Sequence, residues 1–394
     1  MGRFTRTLAA CTLMMTMGAG TAGWAAGDIQ TAVTGPPPGA AAWTADHVLG
    51  SRLPDPAATA PAAVARFLAA LTAPQRSLLA RRHPLVVGNL DGAPPELRYT
   101  ANARALTVER ERELARAADP ELSGDARRQA RKRAATYGRL LAPGHRVLAF
   151  DPRGRGQVAE VYGDLRTARR VAVLVPGSDT DLTSYATTAR MARDLRAEMA
   201  RRTPADRPAV IAWVGYTTPV GVGYDAATGH LAEAGAPRLI RFLDGLAATT
   251  RPAAPPAVFC HSYGSVLCGI AAHRLTVRQL SDLVVAASPG VRLDHADQVP
   301  LGARLWAADR DPTDWVRRIP AVELFGLGHG TDPTDPAFGA RVVSSDRAEG
   351  HTGYFTPGTA SLRNFADIAL GDYPAVTCAR PTPDTAKDCR HGLA

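Results

Sequence analysis

The sequence predicts an α/β fold built on a mostly parallel, doubly wound sheet. Three observations carry that expectation. From Pro143 onward, short apolar runs alternate with helical stretches. One run, Val171 to Val175, is apolar throughout, as in a strand covered on both faces. A third run, Ala257 to Phe259, leads into a corner at Cys260-His261-Ser262-Tyr263-Gly264, and a small-residue helix begins at once behind it. At 394 residues the chain accommodates one such domain and an extension.

Taken in order, residues 1–26 have the form of a secretory signal. Arg3 and Arg6 precede a short apolar core from Leu8 to Ala19, and small residues near Ala22 to Ala26 offer a cleavage site. That core is too short to span a membrane, and no later run is long enough. Residues 27–53, rich in Gly, Ala, Pro and Thr, read as a linker or arm. Residues 54–145 read as helical. Ala63, Val64, Phe67, Leu68 and Leu71 recur at helical spacing. Thr72-Ala73-Pro74-Gln75 is a capped start, and two charged helices are expected between Thr107 and Leu141. Between them, Leu85 to Gly92 reads as a turn-like break. Residues 146–373 form the expected core, with strands at 146–150, 158–162, 171–175, 210–214, 257–259, 283–286 and 304–307. Another strand-like run covers 341–344, ahead of a helix from about Thr359 to Leu370. Residues 374–394 are left as a tail.

The corner has the sequence form of a nucleophile elbow, Gly-x-Ser-x-Gly, with cysteine in place of the first glycine. Such a turn lifts one serine above the sheet of an α/β-hydrolase fold. A serine hydroxyl needs a base, and the base an orienting acid; in this fold they follow in the order Ser, acid, His. The nucleophile is then Ser262. Candidate acids beyond the strand 304–307 are Asp309, Asp311 and Asp314. Asp311 is favoured because Pro312 suits a rigid strand-end turn, with Asp309 next. Candidate bases are His295, His329 and His351. His351 is favoured because it lies between the last strand and the last helix. The oxyanion donors expected are the amides of Tyr263 and of Ser178 or Asp179, the latter pair following Gly177 after the strand 171–175. The side chains of Asp179 and Asp181 are expected to turn away or to bind a polar substrate group.

Other functional classes find less support. The formal charge is +9, but only Lys132 and Lys387 are lysine among 46 basic residues. This is a composition bias rather than a phosphate-binding patch, so no nucleic-acid partner is expected. The run Arg127 to Arg133 reads as a solvated helix face. Gly154-Arg155-Gly156 joins two strands and opens no helix, so no nucleotide cofactor is implied. Asp294-His295-Ala296-Asp297 lacks a second ligand pair and reads as a polar loop, so no metal is expected. In an exported chain, Cys378 and Cys389 are expected to pair, while Cys260 and Cys268 are expected to remain buried thiols.

An ordered set of motifs resembles a family of secreted actinobacterial α/β hydrolases filed as a domain of unknown function. The set is Val87 to Gly92, Val175-Pro176-Gly177, His261 to Ser265, Ser288 to Val291, His329 to Pro333, Phe338 to Arg341 and Gly350 to Phe355. The resemblance implies an α/β-hydrolase fold with Ser262 as nucleophile and His351 as base, and it supplies no substrate. The expectation is an exported serine hydrolase with the triad Ser262, Asp311, His351, acting without cofactor on a small-molecule or lipid ester. The helical region 54–145 would form a cap or side layer. A peptidase or acyltransferase with the same triad, and a catalytically silent scaffold binding an envelope ligand or protein partner, remain alternatives. The oligomeric state is open.

Overall fold

The structure, a computed structural model, describes residues 29–379 and 388–393. The expected signal at 1–26 lies outside them. The first helices are α1 (Ala40–Thr44), α2 (Pro61–Ala70), α3 (Ala73–Arg82), α4 (Pro84–Asn89), α5 (Pro95–Ala118) and α6 (Gly124–Leu140). Thr72 and Gln75 cap α3 reciprocally: the Gln75 amide donates to the Thr72 hydroxyl, and the Gln75 side chain accepts from the Thr72 amide. Where a turn-like break was expected at 85–92, the chain forms α4. Its last residue, Asn89, brackets Phe150, accepting from the Phe150 amide at 3.0 Å and donating to the Phe150 carbonyl at 2.7 Å. Asn102 of α5 donates to the Val147 carbonyl at 2.9 Å. The motif from Val87 to Gly92 therefore docks the helical layer on the sheet. The arm is partly fastened too: Val33 donates to the Thr217 hydroxyl and Gln30 to the Asp225 carboxylate.

The sheet begins with β1 (Val147–Asp151), β2 (Gln157–Tyr162), β3 (Val171–Val175), β4 (Ala209–Val214), β5 (Ala257–His261), β6 (Asp282–Ala286) and β7 (Arg304–Ala308). A small hairpin, β8 (Glu323–Leu324) and β9 (Leu327–Gly328), stands apart, and β10 (Arg341–Val343) completes the sheet. The spatial order is β1-β2-β4-β3-β5-β6-β7-β10. The β1–β2 and β2–β4 pairs are antiparallel, and all others are parallel. Connecting helices are α7 (Ala186–Arg202), the short α8 (Tyr224–Ala227), α9 (His230–Thr249) and α10 (Gly264–Ala272), with α11 (Ala360–Leu370) after β10.

Alternation along the buried strands divides the core in two. Val173, Val175, Val258 and Cys260 face α9 and α10, meeting Leu239, Leu243 and Leu267. Leu174, Phe259 and Trp306 face α7 and α11, meeting Leu195, Phe365 and Ile368. The helical layer lies along β1, with Leu106, Tyr137 and Leu140 packed on Val147 and Phe150. Three strands separate β1 from β5 in the sheet. The C-terminal tail returns to β10: Ala379 donates to the Val342 carbonyl and Ser344 to the Thr377 carbonyl. A disulfide joins Cys378 to Cys389 and anchors it there. Among the described residues, no helix is long and apolar enough to cross a membrane.

Candidate active site

The parallel strand β5 ends at His261, and α10 starts at Gly264, so two residues must reverse the chain. Ser262 does this in a left-handed conformation, φ 56°. That backbone is unfavourable for any residue with a Cβ, and such strain gathers at functional sites. The turn is held by the Ser262 amide, which donates to the Ala286 carbonyl of β6 at 3.0 Å. It also depends on absent side chains. A Cβ on Gly264 would lie 2.6 Å from the Pro176 carbonyl oxygen, and one on Gly177 would lie 2.6 Å from Ser262 Cβ.

Cys260 occupies the position of the elbow's first glycine, and here the structure corrects an expectation. Cys260 and Cys268 are not free thiols but a disulfide. The elbow folds α10 back over its own strand, which brings the two Cα atoms to 6.5 Å, within bridging range. Both residues are buried, as expected. Replacing both by alanine should lower unfolding free energy by about 2–3 kcal/mol on the loop-entropy estimate. Guanidinium denaturation of wild type and the double variant checks this; equal midpoints would show that the bridge contributes nothing.

The Ser262 hydroxyl lies 2.8 Å from Nε2 of His351, and Nδ1 of His351 lies 2.8 Å from Asp314 Oδ1. A carboxylate only accepts, so Nδ1 carries the proton and Nε2 accepts from Ser262. Burial pushes the Asp314 carboxyl up. Hydrogen bonds from His351, the Val316 amide and the Tyr354 hydroxyl outweigh that and hold it below the usual carboxylate range. The acid beside His351 is thus Asp314 and not Asp311. After β7 the chain turns about Asp311, whose carbonyl accepts from the Asp314 amide at 3.0 Å. The Asp311 carboxylate is used locally, accepting from Thr313 and from the Gly350 amide, one residue before His351. Asp309 is exposed and accepts from its own neighbour, Arg310. Tyr354 had not been singled out from the sequence. Its hydroxyl donates to Asp314 Oδ2 at 2.9 Å and accepts from the Asp311 amide at 3.0 Å, tying both aspartates to the loop that carries His351.

The other histidines lie elsewhere. His295 is exposed beside Asp297. His329 is buried on the far side of Tyr263, with Nε2 2.8 Å from the Ala226 carbonyl oxygen. His261 turns away from Ser262, and its Nε2 donates to the backbone carbonyl of His351 at 2.7 Å. Burial pushes His261 down to about 4, and the adjacent His351 adds to this; burial also pushes His329 down to about 4. A histidine depressed in the folded state stabilises fully above its unfolded pKa near 6.5 and loses that contribution as pH falls through 4. Stability should therefore decline between pH 6.5 and 4, by up to about 3 kcal/mol for each histidine. Denaturation midpoints across that range for wild type and His329→Asn measure it; parallel curves would remove His329 from the account.

Above Ser262, a Cβ on Gly177 would sit 2.9 Å from both Ser262 Oγ and the Tyr263 amide nitrogen. The bare glycine leaves an oxygen-sized space next to that amide. The Asp179 amide is committed to the Pro219 carbonyl at 2.8 Å, which leaves Ser178 as the second expected donor. The Asp179 and Asp181 carboxylates turn away. Asp179 accepts from the Gly221 amide, and Asp181 from Thr183, Ser184 and Arg155. Ser262 remains 8 % exposed. One cluster with metal-ligand proximity occurs among the described residues, Cys378, Asp388 and Cys389, and its two sulfurs are bonded to each other.

A family profile described as alpha/beta hydrolase matches residues 151–324, from β1 through the elbow to β8. The fold is that of the α/β hydrolases. An uncharacterized protein of Mycobacterium tuberculosis is 29 % identical over 383 residues, covering 81 % of this chain and 57 % of its own length. An uncharacterized protein of Mycobacterium bovis is 36 % identical over 159 residues, covering 38 % of this chain and 58 % of its own length. The chain thus matches little more than half the length of these curated relatives. Among solved structures, the 2,6-dihydroxy-pseudo-oxynicotine hydrolase aligns over 82 % of this chain and 92 % of its own, with 11 % identity and a TM-score of 0.36. Esterase PE8 aligns over 53 % of this chain and 96 % of its own, with 18 % identity and a TM-score of 0.33. Both values are too low to transfer chemistry. The family profile covers Ser262 in this hydrolase fold, while His351 lies beyond it.

Proposed function

We propose that this chain is an exported serine hydrolase that cleaves a carboxylic ester through an acyl-serine intermediate. The observation that carries the reading is the hydrogen-bonded line from Ser262 through His351 to Asp314. In the first step His351 Nε2 takes the hydroxyl proton while Ser262 Oγ bonds to the ester carbonyl carbon. The carbonyl oxygen becomes an anion in the space beside Gly177, where the amides of Tyr263 and Ser178 donate to it. Collapse expels the alkoxide, which leaves as alcohol with the proton from His351. Water, deprotonated by the same nitrogen, then releases the acid. Asp314 holds the imidazole in the required tautomer and stabilises the imidazolium. The two disulfides support export, since such bonds persist in oxidising compartments.

A fluorophosphonate probe tests the reading, because it labels a serine only when its hydroxyl is activated. Wild-type protein should carry one label, on the peptide containing Ser262, and Ser262→Ala should carry none. A folded wild type that stays unlabelled would return the chain to a silent scaffold.

A further inference from the structure

Twelve large apolar side chains are exposed among the described residues, and six of them stand on segments that border Ser262. Val220 and Val222 lie on the loop after β4, Tyr224 opens α8 behind it, Trp315 follows Asp314, Leu324 ends β8 and Phe325 stands at the tip of the β8–β9 hairpin. Each segment is fastened to the site. The loop after β4 is bonded to the oxyanion loop, from the Asp179 amide to the Pro219 carbonyl and from the Gly221 amide to the Asp179 carboxylate, both at 2.8 Å. The hairpin joins that loop through a bridge between Leu327 and Thr228, and the Thr228 carbonyl accepts from the Tyr263 hydroxyl at 2.8 Å. The Trp315 ring, 43 % exposed, lies 4.7 Å from the His351 ring.

The hairpin tip is the telling feature. Its central residues, Phe325 and Gly326, have φ of 52° and 79°. Tight hairpins of this hand favour Asn-Gly or Asp-Gly, because a bulky residue with positive φ is strained. Phe325 bears that strain while 96 % exposed, so no internal packing offsets it. Strain held on a side chain with no partner inside the molecule points to one outside. Val222, 76 % exposed, has glycine on both sides. These are convex points rather than a groove, and they suit a fluid surface that closes around them. Beside Trp315, Arg317 and Arg318 are exposed and form no ion pair among the described residues, whereas Glu323 shares Arg292 with Glu233. The unpaired cations therefore stand beside Trp315.

We propose that this crest is an interfacial docking surface. Phe325, Val222 and their neighbours insert among the acyl chains of an anionic lipid bilayer, Arg317 and Arg318 meet its head groups, and a bilayer-borne ester is presented to Ser262. What happens at Ser262 rests on the ester-hydrolase reading; the docking does not.

Flotation with phosphatidylcholine vesicles containing phosphatidylglycerol tests the docking, using Ser262→Ala protein so that no ester is consumed. The parent should float with these vesicles and far less with phosphatidylcholine alone. Adding Val222→Ser and Phe325→Ser should weaken binding roughly tenfold or more without changing the thermal midpoint. Adding Val277→Ser, an exposed apolar residue elsewhere, should leave binding as in the parent. A parent that does not float, or crest variants that float equally well, overturns the proposal. Self-association that depends on Phe325, without vesicle binding, overturns it in favour of a protein interface. Wild-type cleavage of a dissolved short-chain ester is measured in parallel. Docking without cleavage would remove the catalytic reading alone, and cleavage without docking would remove the surface alone.

Discussion

Ser262→Ala and His351→Ala should each lower kcat on a soluble ester by five to six orders of magnitude, roughly the loss seen when one member of a working triad is removed. The size follows from how the two side chains are joined. Without the hydroxyl there is no acyl intermediate. Without the imidazole to accept it, the hydroxyl keeps its proton. The double variant should fall no further than either single one, because the pair acts as a unit. Circular dichroism should be unchanged in Ser262→Ala, whose side chain bonds only to His351. Retention of more than about one part in a hundred of wild-type kcat in His351→Ala would remove His351 from the role of base.

Asp314→Asn should lower kcat by about ten-thousand-fold, since an amide can donate to Nδ1 and so favour the tautomer with its proton on Nε2. Asp311→Asn should cost far less, because its carboxylate supports the Gly350 amide and does not touch the imidazole. The contrast is a sharp one, as the two residues are three apart on the same loop. Steady-state kinetics on one dissolved ester is sufficient. A greater loss in Asp311→Asn than in Asp314→Asn would reverse the assignment.

The parallel core was legible because its signals are local. Val171 to Val175 and the elbow strand are apolar runs of strand length, and each became a strand in the expected place. That His351 comes to lie beside Ser262 was legible from its place between the last strand and the last helix. Which carboxylate meets His351 was not, because the turn at Asp311 decides which aspartate faces back, and that turn is set by a backbone bond between Asp311 and Asp314 rather than by residue type. A cue was present in Trp315 and Val316, the apolar neighbours of the one aspartate in the group that is buried. The Cys260–Cys268 bridge was hidden for a related reason. Separation in sequence says nothing about facing, and only the reversal at Ser262 brings strand and helix together. Asn89 was hidden inside a segment that read as a turn, since its partner in β1 lies some sixty residues away.

Both outer strands of the sheet are occupied. On one side the amide groups of Asn89 and Asn102 satisfy backbone groups of β1 as a neighbouring strand would. On the other, the segment around Thr377 to Ala379, pinned by Cys378–Cys389, takes backbone groups of Val342 and Ser344. An open edge is a template for strand addition, by a peptide or by a second copy, and so for aggregation. With two asparagines closing one border and a stapled tail the other, an extended peptide has little backbone left to pair with at either end. Reduction of the tail bridge would reopen one border, so the oxidised chain is the form guarded against edge-to-edge polymerisation.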